Sequence, residues 1–461
     1  MERKNKMGYM PMTRLMINMS LPLMFSLLIQ SLYNIVDSIF VARLGQEALT
    51  AVSLAYPVQI LMIAVSVGTS VGINSLLSKS IGAKDSALTG NTATTGVLLS
   101  LLGAAVFMLL GLFCTDSFAG MFTSDPFIGG ACAEYLSICM LFCLGTFVST
   151  MFQRFLQSVG NTVGSMLTLV AGAVTNLILD PILIFGLLGF PAMGIRGAAI
   201  ATVIGQWICA VYAVLLNRFC NPTVQPKWKG YRLEGRILAD IYRVGLPTII
   251  TQALGSIMVS AINGILMPLS PAAVAFFGVY YKLQNFLFMP MNGLGQAAIP
   301  IVGYNYGARQ PERVRSAFCT ALPMAAGIAL LATAVFCAIP GWLLQLFDAD
   351  ANMLALGIPA LRTISFTFVF ASVTMILGYA ASGLGNGFIN MAGTSLRQVI
   401  IFVPLVWILA KTAGISSVWY AFWAAEPAAA LYAIFSSIRL LHKRGILTDR
   451  LYPLAGKTHP R

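Results

Sequence analysis

Three polar residues interrupt a long apolar run early in the chain. In RLMINMSLPLMFSLLIQSLYNIVDSIFVARLG (14–45), Gln30, Asn34 and Asp37 stand at i, i+4 and i+7, a spacing that puts them on one helical stripe. The run is long enough to cross a bilayer, which takes about 20 residues. An ionised Asp at bilayer depth costs roughly 2.5–3.5 kcal/mol on insertion scales, so Asp37 is expected to face protein or water rather than lipid. Such a stripe is either a hydrogen-bonded cluster that holds helices together or a site for a proton or a cation. A second apolar run, TNLILDPILIFGLLG, places Asn176 and Asp180 at i, i+4, with Pro181 removing a backbone donor beside the acid. A third begins GAAIATVIGQ and carries Thr202. If the first and fifth spans run outwards and the sixth inwards, Asp37, Asp180 and Thr202 each lie about two turns below the outer surface. Two carboxylates, an amide and a hydroxyl at one depth suit a hard cation such as Na⁺. They equally suit a proton shared between like charges.

The elements that must hold these groups are membrane helices. The chain has 461 residues, 58% hydrophobic and 9% charged, against roughly 25% charged in soluble domains. Twelve spans are expected, running from about 14–41 to 414–438, with 131–157 and 352–383 each one span. The basic residues test the count. With the N-terminus cytoplasmic, Arg3, Lys4, Lys6, Lys79, Lys84, Arg154, Arg218, Lys227, Arg243, Arg309, Arg313, Arg397, Lys443, Arg450, Lys457 and Arg461 fall at cytoplasmic ends or loops. Only Arg43, Arg196 and Lys411 fall outside, and only Lys282 and Arg362 well inside spans. The acids, Glu47, Asp116, Asp125, Asp348 and Asp350 on the outer side among them, show no such bias. This asymmetry accounts for the net charge of +13 through anionic headgroups, and no nucleic-acid partner is expected. Met1–Tyr9 is polar and basic, and no cleaved signal peptide is expected.

The chain repeats itself. LPLMFSLLIQ (21–30) aligns with LPTIITQALG (246–255), Gly68 with Gly293, SIGAKD (80–85) with NYGARQ (305–310), and QSVGN (157–161) with SGLGN (382–386), all at an offset of about 225 residues. The expected fold is an all-α polytopic membrane protein. Its twelve helices form two six-helix lobes, 1–217 and 243–440, related by a pseudo-twofold axis along the membrane normal. A basic linker, 218–242, joins the lobes, and a basic tail, 441–461, follows them. The Gly82–Ala83 and Gly307–Ala308 pairs are expected to cap or tighten cytoplasmic helix ends. The second lobe lacks the acid stripe, with Ile262 in the place of Asp37. Glu426 and Arg362 are expected to pair, or Glu426 to form a second site. Lys282 stands in YYKLQNFLFMPMNGLGQ, whose aromatic, Met and amide residues suit a wall contacting varied amphiphiles. The substrate-cavity candidates are Gln30, Tyr33, Asn34, Gln59, Gln252, Tyr281, Lys282, Asn285, Met289, Asn292 and Glu426.

The segments LYNIVDSIFVARLGQEALTAVSLAYP, SKSIGAKD, TNLILDP, GIRGAAIAT, GLGQAAIPIVGYNYGA and SLRQ together resemble the multidrug and toxic compound extrusion family. The resemblance runs from about residue 10 to 440. It implies a two-lobed exporter with a central cleft that exchanges Na⁺ or H⁺ for cationic or amphiphilic small molecules, with Asp37, Asn176, Asp180 and Thr202 as the cation site. Some branches place an acid early in the seventh helix; PTIITQAL has none, which favours coupling through the first lobe. No cofactor is expected beyond the coupling ion. The expected setting is a monomer, surrounded by lipid in the cell membrane, with both termini cytoplasmic. A lipid-linked sugar flippase is the rival, and would want several basic residues lining its cavity. An intramembrane enzyme is disfavoured: no HExxH or GxSxG is present, the two His, His442 and His459, lie near the C-terminus, and the eight Cys form no CxxC pair. A channel is disfavoured by the lack of charge rings or filter-like loops.

Overall fold

A computed structural model describes residues 5–447, apart from 124 and 348. Arg3, Lys4, Asp348, Arg450, Lys457, His459, Arg461 and most of the 441–461 tail therefore lie outside the described residues. The described residues are helical, without strands. Ten helices are each long and apolar enough to cross a membrane, and two bent pairs bring the number to twelve. They are α1 (Met12–Ala42), α2 (Gln46–Gly82), α3 (Ser86–Phe113), α4 (Pro126–Leu141 with Leu144–Ser158), α5 (Thr162–Phe185) and α6 (Ile195–Cys220). Then follow α7 (Gly235–Leu266), α8 (Pro271–Gly307), α9 (Pro311–Ala338), α10 (Ala351–Ser365 with Phe368–Gly383), α11 (Phe388–Thr412) and α12 (Ile415–Lys443).

The spans α4 and α10, expected as single helices, are broken at corresponding points, by 46° and 50°. A break frees carbonyls that lipid cannot satisfy. In both lobes a tryptophan of the sixth helix takes one: the Trp207 indole donates to the Phe142 carbonyl (3.2 Å) and the Trp423 indole to the Thr363 carbonyl (2.9 Å).

The two halves meet in pseudo-symmetric contacts. A side chain at Gly68 would strike Ile249 and one at Gly293 would strike Met24; one at Gly82 would strike the Tyr304 carbonyl and one at Gly307 the Lys79 carbonyl. Each pair of contacts repeats at the offset of the sequence alignment. The glycines let helix backbones touch. Gly82 and Gly307 therefore pack helices, while Ala83 and Ala308, the second residues of these pairs, are the C-caps as expected. Lys84 and Arg309 follow them in the left-handed region, at φ 57° and 56°. The amides that follow, of Asp85 and Gln310, return to the carbonyls of Ser80 (3.0 Å) and Asn305 (2.9 Å).

At this end the lobes are interwoven. The first half of α1, from Met12 to Leu23, packs with α8, α9, α10 and α12 in a second-lobe core, and Ile237 and Ile241 of α7 pack against Ile73, Leu76 and Leu77 of α2. Ser75 adds a hydrogen bond to the Ser382 carbonyl (2.6 Å). The linker is pinned here too, through reciprocal bonds between Thr94 and Lys227 (2.8 and 3.1 Å). At the other end each lobe has its own core: Ala48–Met62 of α2 packs with α3 and α4, while Met258–Leu266 of α7 packs with α8, α10 and α11. The lobes are thus joined at one end and separate at the other.

Among the described residues the second lobe holds one buried ion pair, and it differs from expectation. Glu426 pairs with Arg397, whose Nε and Nη2 both donate to Oε1 (3.0 and 2.8 Å); the two side chains are 2% and 7% exposed. Arg362 is exposed. Arg397, assigned to a cytoplasmic end, instead lies in a π-helical turn of α11, Leu396–Ile400, with its guanidinium 5.9 Å from the Phe288 ring centroid. Lys282 is exposed rather than buried.

Removing one partner of a buried pair strands the other charge, which costs about 3–5 kcal/mol. Glu426→Leu should therefore lower the thermal midpoint in detergent well below that of Arg397→Met/Glu426→Leu, where both charges are gone. Equal midpoints would show that the pair is not closed. Gly82→Leu, which drives a side chain into the Tyr304 backbone, should weaken lobe closure at the joined end. Cysteine cross-linking across Ser75 and Ser382 should slow several-fold, and an unchanged rate would count against this contact.

Candidate functional site

Two close backbone approaches position the first-lobe polar groups. A side chain at Gly172 of α5 would come within 2.8 Å of the Gly205 carbonyl of α6, and one at Gly205 within 2.8 Å of the Gly172 carbonyl. Next to this crossing the Asn176 amide donates to Asp180 Oδ1 (3.2 Å) and to Thr202 Oγ1 (3.4 Å). Pro181 inside α5 leaves the Leu177 carbonyl without its helical donor. Asp37 comes from α1, which packs along α5.

Hydrogen-bond accounting gives this cluster its character. Asp180 Oδ2, Asn176 Oδ1 and Asp37 Oδ1 are all buried without a hydrogen-bond partner. Ionised carboxylate and amide oxygens are acceptors only, and three of them unsatisfied together is rare in a folded interior. No Lys or Arg is ion-paired to either acid among the described residues. Such a group is satisfied by a proton or by a hard cation that takes oxygen ligands. Asn176, Asp180 and Thr202, from two adjoining helices, are the side chains that could hold such an ion, with Asp37 on the neighbouring α1.

Asn176 and Thr202 also line a cavity of about 320 Å³, within the usual range for small-molecule pockets. Of the substrate-wall candidates, Gln30, Tyr33 and Gln252 line it as well. The others lie elsewhere. Asn34, Lys282 and Asn285 are exposed, and Met289 is half-buried outside the lining. Gln59 donates to Tyr135 (3.4 Å) and faces Cys139 (3.7 Å). The Tyr281 hydroxyl lies over Gly255, Asn292 accepts from Tyr379 (2.9 Å), and Glu426 is held by Arg397.

The cavity also holds a residue expected at the cytoplasmic end of its span. Arg154, 7% exposed, lines the cavity from α4, and its Nη1 donates to Gln157 Oε1 (2.7 Å) and, across the lobe boundary, to Gln296 Oε1 of α8 (3.0 Å). The signal was present in MFQRFLQS, where Gln153, Arg154 and Gln157 share one helical face. A larger groove of about 930 Å³, near Glu47, Glu134 and Arg196, contains none of these groups.

The MatE family model matches the chain twice, over residues 22–182 and 247–408, once in each half of the internal repeat. The multidrug export protein MepA of Staphylococcus haemolyticus is 23% identical over 423 residues, covering 91% of this chain and 92% of that protein. The MepA of Staphylococcus aureus is 23% identical over 446 residues, covering 96% and 97%. Among solved structures, the outward-facing conformation of a multidrug resistance MATE family transporter of the MOP superfamily superposes with a TM-score of 0.89 at 25% identity, covering 96% of this chain and 99% of that one. With both halves matched and the full helical arrangement shared, the chain belongs to the MatE family, whose members are membrane transporters and not enzymes.

Proposed function

We propose that this chain exports cationic and amphiphilic small molecules across the cell membrane in exchange for Na⁺ or H⁺. The observation that carries the reading is the group of unsatisfied acceptor oxygens on Asp37, Asn176 and Asp180, at the edge of a cavity lined by Gln30, Tyr33 and Gln252. The export activity printed for the MepA relatives supports the direction of transport, and the placement of basic residues supports cytoplasmic termini. In this orientation the joined end of the lobes is cytoplasmic and the separated end faces outwards.

A cation entering from outside neutralises Asp37 and Asp180 and draws α1, α5 and α6 together around them. The cavity beside them changes shape, and substrate leaves. The lobes then rock to the inward-open state, where the ion dissociates. The driving force suffices: one charge moving through about 100 mV supplies roughly 2.3 kcal/mol, against about 1.4 kcal/mol per tenfold substrate gradient. A lipid-linked sugar flippase would need a cluster of basic residues, and the lining contains a single Lys or Arg, Arg154.

Everted vesicles with Na⁺ and H⁺ gradients imposed separately test the exchange. Asp37→Asn and Asp180→Asn should each lower dye efflux about tenfold or more under the effective gradient. Undiminished efflux in both variants would remove the coupling role. Thr202→Val separates the ions, because Na⁺ needs neutral oxygen ligands and a proton does not. If Na⁺ is coupled, its half-saturating concentration should rise about tenfold; if H⁺ is coupled, the pH dependence should stay in place.

A further inference from the structure

Arg154 is a buried cation without an acid. The ion pairs among the described residues, Arg196–Glu134 and Arg397–Glu426, do not include it. Its two protein hydrogen bonds both leave from Nη1, to the neutral amides of Gln157 and Gln296. Nε and Nη2 donate to no acceptor among the described residues, although the side chain is 7% exposed and lines the cavity. A guanidinium offers five donors in a rigid fork matched to two oxygens of one planar anion. A buried charge is costly unless it is matched, so these remaining donors mark a place for an anionic group.

The position of the guanidinium defines the class of ligand. Gln157, bonded to Arg154, donates in turn to Ser165 of α5 (2.9 Å), which fixes Arg154 at the level of Ser165. The lining continues along α5 through Leu169, Gly172 and Ala173 to Asn176, the residue bonded to Asp180 (3.2 Å). Eleven helical steps of about 1.5 Å separate the two levels by roughly 16 Å. One cavity therefore has a positive end at Arg154 and an acidic end beyond Asn176, with amide and hydroxyl groups between.

We propose that Arg154 receives the carboxylate of zwitterionic amphiphiles whose cationic end lies toward Asp180. This deepens the reading of the cavity as a drug site and rests on it. It makes Arg154 the side chain that distinguishes ligands bearing a carboxylate from purely cationic ones, which leave the guanidinium unmatched. Both a carboxylate and a phosphate fit the guanidinium fork, and the competitors below separate them.

The test uses the purified full chain and two dyes that differ at one group: rhodamine B, with a free carboxyl, and its ethyl ester. Binding is read by fluorescence polarisation. Arg154→Gln should weaken rhodamine B by about ten- to a hundredfold, the range expected for hydrogen bonds to a charged group, and leave the ester within about twofold of wild type. Arg154→Lys, which keeps the charge but loses the fork, should fall between. On the unaltered protein benzoate should displace rhodamine B but not the ester, a measurement that does not depend on how a variant folds. Equal loss of both dyes in Arg154→Gln, loss of neither, or wild-type binding of the ester alone would overturn this proposal while leaving the drug site standing. Displacement of rhodamine B by short-chain phosphatidylglycerol but not by benzoate would assign the guanidinium to a lipid phosphate and overturn it also. Wild-type protein that binds neither dye would overturn the drug site itself, and this proposal with it.

Discussion

A carboxylate kept from water inside a lipid-solvated bundle has to be matched by donors or by positive charge, and the two lobes of this chain meet that demand differently. In the second lobe the match is a fixed charge: Arg397 places two donors on Oε1 of Glu426, whose Oε2 has no further partner, and both residues are buried. In the first lobe neither acid is paired with a Lys or Arg among the described residues. Asn176 supplies one donor to Asp180, while oxygens of Asp37, Asp180 and Asn176 remain without partners. A fixed guanidinium cannot leave, so it holds one helix arrangement. A mobile ion can leave, so its site can favour one arrangement when filled and another when empty. On the function proposed here, the same electrostatic requirement gives a structural clamp in one half of a duplicated chain and an exchangeable site in the other.

The interface between the halves fits this division. Where the lobes join, glycines at matched positions bring backbone against backbone, as at Gly82 with Tyr304 and Gly307 with Lys79. Such contacts are van der Waals in kind, with few side chains to desolvate, and a seam of that type is suited to opening and re-forming in lipid, where apolar surface gains little from burial. Each lobe also lends the first half of a helix to the other, α1 to the second-lobe core and α7 to the first. Because α1 carries Asp37 toward its other end, whatever fills the acid site acts on the helix that also buttresses the opposite lobe.

Much of this was legible in the sequence, and the failures have a common cause. Hydropathy located the spans, because a bilayer demands long apolar helices. The repeat register aligned Gly68 with Gly293, and the structure gives these glycines matched contacts, on Ile249 and on Met24. The i, i+4 spacing of Asn176 and Asp180 put them on one face, where they are hydrogen-bonded (3.2 Å). What was missed was buried positive charge. Arg154 and Arg397 lie close enough to helix ends to be read as cytoplasmic-end residues by a rule that counts charge by depth alone. Depth says nothing of azimuth, and a π-helical turn at Leu396–Ile400 changes azimuth without changing composition. The expected Arg362–Glu426 pair was the best match by depth, and it failed for this reason. The broken spans α4 and α10 were invisible because the break residues, Phe142–Cys143 and Phe366–Thr367, include no Pro or Gly to mark them.

The position of Arg154 bears on how ion and substrate share the first lobe. Its guanidinium is bonded to Gln296 of the second lobe (3.0 Å) and faces the same cavity as Asn176. A ligand lying along that cavity touches, at one end, the amide that orients Asp180 and, at the other, a side chain that bridges the lobes. Under the proposed exchange, an ion drawn to Asp180 competes with the ligand's positive end directly, by charge. Exchange requires that the two occupants stabilise different arrangements of the helices, and a cavity with opposite charges at its two ends supplies that difference with residues already present on α1, α4, α5 and α8.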